Sequence, residues 1–121
     1  MHHAQADKTE NLLTISYSGH VDAVDAQCCV EELPALLADL TTGFRLLADL
    51  TGLDRMELAC VPHLKRMMEL CNKKGAAVVV RVIPDPQKDI GLKIMSLFHY
   101  SRRVRIVTCV TMAEALQALA Q

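Results

Sequence analysis

"LLADLTGLDRMELACVPHLKRMMELC", residues 46–71, decides how this chain reads. It opens on a near-continuous apolar strand, the pattern of a strand covered on both faces. From Cys60 the period changes, and Cys60, Leu64, Met67, Met68 and Cys71 share one side of a helix. Gly75 follows as its C-terminal cap. Between strand and helix lies a loop with the tip Glu57-Leu58-Ala59-Cys60. In α/β proteins such a junction is a common place for a binding or reactive group.

Strands and helices alternate outward from this segment. Leu12 to Ser18 alternates apolar and polar residues and predicts a half-buried strand, with residues 3–8 as an edge strand joined through a turn at Glu10-Asn11. Cys29, Leu33, Leu36, Leu37 and Leu40 predict a helix capped by Asp22 or Asp25, and Pro34 is expected to bend or split it. "AAVVVRVI" (76–83) predicts a central strand. Asp85-Pro86 opens a helix to Tyr100 with Ile90, Ile94, Leu97 and Phe98 inward. "VRIVTCV" (104–110) predicts a last strand. Thr111-x-x-Glu114 is a capping box opening a helix with Met112, Ala115, Leu116 and Leu119 inward. Residues 1–121 are expected to form a single α/β domain: a mostly parallel sheet of four to five strands covered by about four helices.

Composition narrows the function. A formal charge of -1, 3% aromatic residues and no Trp argue against nucleic acid, which asks for basic and stacking surfaces. The short basic groups, such as Lys65-Arg66 and Lys73-Lys74, read as solvated helix faces. No apolar run reaches the ~20 residues of a membrane helix. The polar start "MHHAQADKTE" lacks a signal-peptide core, and five cysteines without a C-x-x-C pair fit a reducing compartment. The expectation is a cytoplasmic protein.

The order of elements, "SGHVDA" at 18–23, "LLADLTGLD" at 46–54 and "TMAEALQAL" at 111–119 resemble the STAS domain and its SpoIIAA-like relatives. The likeness spans roughly residues 10–120 and implies a SpoIIAA-like (STAS) fold. Asp49-Leu50-Thr51-Gly52 matches the Asp-Leu-Ser/Thr-Gly that ends a strand in the anti-sigma-factor antagonists of that family. The next family motif, Asp-Ser-Ser/Thr-Gly, carries their phosphorylated hydroxyl, and here it falls on Glu57-Leu58-Ala59-Cys60. Ala59 has no oxygen to phosphorylate. Pro62 removes a backbone donor that would greet a phosphate. The resemblance to the SpoIIAA-like branch, which tolerates an apolar tip, implies a small non-enzymatic binding domain for a protein partner or a nonpolar small molecule.

Candidate contact residues are therefore Asp54, Met56, Glu57, Leu58, Ala59, Cys60 and His63 at the tip. Leu92, Met95 and His99 on the next helix join them, and these apolar edges would line a pocket or a homodimer face. The tip is read as either open to a ligand or folded onto its own core. Other chemistries are weighed and set aside. Cys60 near a helix N-terminus suggests a thiolate with His63 as base, but packing is the preferred reading. Cys28-Cys29 is read as packing rather than redox. His20, His63 and His99 with Cys71 and Cys109 match no metal-ligand spacing, so neither metal nor other cofactor is expected. Asp49, Asp54 and Glu57 read as turn and cap residues before an acid–base set. The alternatives kept open are a STAS-type regulator of a partner-switching pathway working without its own phosphorylation, and a small thiol enzyme based on Cys60.

Overall fold

The computed structural model describes residues 1–85 and 100–120. The chain runs β1 (His2–Asp7), β2 (Leu12–Tyr17), β3 (Gly19–Val21), α1 (Ala23–Ala38), β4 (Arg45–Asp49) and β5 (Leu53–Met56). After a 3-10 turn at Leu58–Cys60 come α2 (Val61–Lys74), β6 (Val78–Val82), β7 (Arg105–Cys109) and α3 (Met112–Ala120). The main sheet has the order β1-β2-β4-β6-β7. β1 meets β2 antiparallel; the remaining three pairings are parallel.

Neighbouring residues on one strand point to opposite faces, and this divides the apolar side chains into two cores. Leu46 and Val79 join Leu13, Ile15 and Phe44 under α1 and α2. Leu47, Val80 and Val82 turn the other way and pack with Cys109 and the Ala115 and Leu119 side chains of α3. β6 is covered on both faces, as "AAVVVRVI" requires.

The helices follow their sequence signals. Asp22 accepts a hydrogen bond from the Asp25 N–H at 2.9 Å and caps α1. Pro34 does not split this helix, which runs unbroken from Ala23 to Ala38. Pro34 lies on the exposed side, so its ring adds no clash with the core and the lost N–H leaves only the Val30 carbonyl to other partners. The Thr111 hydroxyl accepts the Glu114 N–H at 3.2 Å, the first half of the capping box. Leu116, expected inward, is 58% exposed, because α3 covers the sheet only with its Ala115–Leu119 edge.

Three α-helices are described where about four were expected; the expected helix from Asp85 to Tyr100 lies outside the described residues. β3 and β5 were not legible in the sequence. They pair with each other, parallel, as a second two-stranded sheet at the C-terminal edge of the main one.

β1 is fastened to α1 by charge. The His2 Nδ1 lies 2.6 Å from the Asp25 carboxylate and its Nε2 lies 2.8 Å from Glu32. Burial works to lower the His2 pKa, but the hydrogen bonds and charge of Asp25 and Glu32 outweigh it and raise the net value.

Gly75 ends α2 at φ 101°, and its carbonyl accepts the Gly43 N–H at 2.7 Å. A Cβ there would meet the Thr42 Cγ2 at 2.7 Å. Gly75→Ala therefore adds a left-handed alanine and a clash, and is expected to lower unfolding free energy by about 2 kcal/mol in chemical denaturation. Gly75→Asn, which tolerates the conformation better, isolates the steric part.

Candidate functional site

The tip is built by a chain of backbone constraints that starts where β4 ends. The Asp49 carboxylate accepts the Thr51 N–H at 3.0 Å and the Thr51 hydroxyl at 2.7 Å, which closes a tight turn. Gly52 follows because its place beside β2 is narrow: an added Cβ would sit 3.2 Å from the Ser18 Cβ. The Gly52 carbonyl accepts the Gly19 N–H at 2.8 Å, which sets β5 against β3. At the end of β5 the Glu57 N–H donates to the Val21 carbonyl at 3.0 Å, and the Cys60 N–H then donates to the Glu57 carbonyl at 2.9 Å. The tip is thus a pinned turn packed against the start of α1.

This backbone sends the predicted site residues in different directions. Leu58 stands 87% exposed, with Asp54 and Ala59 also in solvent. Met56, Glu57 and His63 are half-buried. Cys60 is fully buried and donates from its thiol to the Val21 carbonyl at 3.5 Å. The tip is therefore both folded back and open: Met56 and Cys60 pack inward, while Leu58 is held outward. On the same edge, the first turn of α1 presents Val24, 68% exposed. Leu92, Met95 and His99 lie outside the described residues.

Cys60 has the setting of a packing thiol. Burial pushes its pKa up, and the nearby Glu57 charge adds to this against a lowering backbone hydrogen bond. Its hydrogen bond goes to Val21 rather than to His63. As residue before α2 it makes no side-chain cap, and Pro62 takes away a donor in the first turn. The three loop carboxylates are likewise not gathered. Asp49 is spent on its own turn, and Glu57 meets His20, its carboxylate 2.6 Å from the His20 Nε2. Cys71 and Cys109 belong to cores on opposite faces of the sheet.

Sequence reasoning missed the His20–Glu57 pair, because only the β3–β5 pairing brings together residues so distant in the chain. It also missed Arg81, which is 4% exposed among valines and donates to the Thr108 hydroxyl at 3.0 Å. An arginine inside the most β-prone segment was the available signal. Arg81 lines a cavity of about 30 Å³ behind the tip, with Tyr17, Leu50, Met56, Met67 and Tyr100 among its walls. That volume holds a water molecule or two and does not enclose a lipid.

No family model and no curated protein matches the sequence. Solved structures do match. An uncharacterized protein with a SpoIIAA-like fold from Shewanella loihica superposes with a TM-score of 0.74 at 16% identity, over 98% of this chain and 93% of its own. An anti-sigma factor antagonist from Mycobacterium paratuberculosis gives 0.63 at 20% identity, over 100% and 96%. Unphosphorylated SpoIIAA, itself an anti-sigma factor antagonist, gives 0.64 at 16% identity, over 99% and 98%. The chain has the SpoIIAA-like fold. Among the described residues no helix is long and apolar enough to cross a membrane.

With a raised pKa and no exposure, Cys60 is expected to resist alkylation in the folded protein, while the exposed Cys28 reacts. Peptide mapping after iodoacetamide treatment at pH 8 checks this. Cys60 should label at least about tenfold more slowly than Cys28 and catch up only in denaturant.

Proposed function

We propose that this chain is a non-enzymatic binding domain that recognises a protein partner through the tip edge, without a phospho-acceptor of its own. The observation that carries the reading is Leu58, an apolar side chain 87% exposed on a turn whose backbone is hydrogen-bonded in place. Val24, three residues past the Val21 carbonyl that anchors the turn, offers a second exposed apolar side chain, and Asp54, Arg55 and the His20–Glu57 pair supply polar groups along β3 and β5. An apolar centre with a polar rim is the anatomy of a protein interface. Rigidity helps as well, since a pre-ordered turn loses little entropy on docking.

Two of the structural neighbours are named as anti-sigma factor antagonists, proteins that act on another protein. The reading extends that mode of action to this chain, as a regulator in the cytoplasm whose contact is not switched at the tip. Residues 57–63 hold neither Ser nor Thr, so a kinase finds no hydroxyl there.

The test compares affinity capture from cells of wild-type protein, Leu58→Asp, and Val110→Asp as a control on an exposed apolar residue after β7. All three should keep the same melting temperature, since both sites face solvent. A partner held by the wild type and by Val110→Asp should be lost with Leu58→Asp, by about 30-fold in Kd once the partner is purified. Equal capture by all three variants overturns the reading.

A further inference from the structure

We infer that the chain carries a zinc-type metal site on the β1–α1 face, formed by His2 Nε2, Cys29 Sγ and a Glu32 carboxylate oxygen. One donor atom from each of these residues lies within 4.8 Å of the others. Tetrahedral zinc with ordinary bond lengths places its donors about 3.3–3.6 Å apart, so the His2–Glu32 pair, now at 2.8 Å, opens by about half an ångström to admit the ion while the widest donor pair closes by about 1 Å. The set mixes nitrogen, sulfur and oxygen, which suits zinc and does not suit magnesium or calcium.

The backbone explains why these donors converge. Cys29 and Glu32 stand one turn apart on α1, three residues apart on one face. His2 comes from β1, where pairing with Tyr17 fixes its register beside that face. A second feature lies outside the three donor atoms, in a carboxylate that also pairs with the Met1 ammonium. The other ring nitrogen of His2, Nδ1, lies 2.6 Å from the Asp25 carboxylate, also on α1. Metal-binding histidines commonly donate their second N–H to a carboxylate, which fixes the tautomer and turns the ring toward the ion. Asp25 holds that orienting position, with His2 Nε2 already facing Glu32 at 2.8 Å.

The charges balance on loading. Zn²⁺ takes the place of the proton on His2 Nε2 and of the Cys29 thiol proton, and both protons leave to solvent. The ion then meets one thiolate and one carboxylate, while Asp25 keeps its hydrogen bond to Nδ1–H. Entry is from the Glu32 side, where the side chain is 52% exposed, whereas Cys29 forms the floor at 0%. The fourth position faces this opening and is left to water. This site is separate from the tip edge, and neither reading depends on the other.

The experiment titrates Co²⁺ and then Zn²⁺ into the reduced, chelator-treated full chain. One equivalent of Co²⁺ should give a thiolate-to-metal charge-transfer absorption that Zn²⁺ bleaches, and Zn²⁺ should raise the melting temperature. Cys29→Ser should abolish the absorption, and His2→Gln and Glu32→Gln should weaken binding by at least about tenfold. Asp25→Asn should cost about 10–100-fold without removing the absorption. His3→Gln should change nothing, since His3 is exposed and turned to Gln5. Circular dichroism without metal confirms that each variant is folded. If Cys29→Ser does not fold, the exposed Glu32→Gln carries the test. Failure to bind one equivalent, or binding that survives both His2→Gln and Glu32→Gln, or binding lost with His3→Gln, overturns the inference.

Discussion

The two-sided burial of β4 and β6 is the constraint from which the rest follows. Leu46 and Val79 must face one layer of helices, and Leu47 and Val80 the other. A one-residue slip of either strand would exchange the two sets and leave both cores mismatched. Parallel pairing at a fixed register therefore dictates where each strand ends. The loop after β4 leaves the sheet at one definite place, and the Asp49 turn, Gly52 and the β3–β5 pair carry that definition out to the tip. The position of Leu58 is inherited from Leu46 and Leu47.

The tip and the main cores obey different physics. Under the helices, apolar area decides, and each fully buried Leu, Val or Phe side chain contributes roughly 1.5–3 kcal/mol relative to exposure. At the tip, backbone hydrogen bonds decide, and the Val21 carbonyl serves as a shared anchor for the Glu57 N–H and the Cys60 thiol. An apolar residue can stay in water there because folding inward would break bonds that already satisfy the turn. At this surface the Cys60 thiol is buried, Asp49 and Glu57 are engaged separately by Thr51 and His20, and residues 57–63 contain no Ser or Thr.

Most of the architecture was legible in the sequence because period and punctuation are local signals. The alternation in β2, the apolar run of β4 and the helical stripe from Leu64 to Cys71 each announced an element. Asp22, Gly75 and Thr111 marked ends. What was not legible depends on pairing across distance. β3 is three residues long and β5 four, too short for periodicity to show, and with them went the His20–Glu57 contact. Leu116 was misplaced for a related reason. Its spacing fits an inward stripe, but the width of that stripe is set by how α3 tilts on the sheet. Of the tip residues, sequence fixed their neighbourhood but not their orientation. Met56 and Leu58, two residues apart and both apolar, ended on opposite sides of the turn.

Among the described residues the two cores are unequal, and this bears on local opening. The helix after β7 rests on a handful of small or medium side chains, chiefly Ala115 and Leu119 against Leu47, Val80 and Val82, with Arg45 holding the Leu119 carbonyl. The opposite layer buries two long helices. Local opening follows the smaller free energy, and among the described residues α3 buries fewer apolar side chains than α1 and α2, so its amides are expected to exchange before those of the strands beneath it. In such excursions the inner strands would be wetted from one side only, and the edge that bears Leu58 would keep its shape throughout.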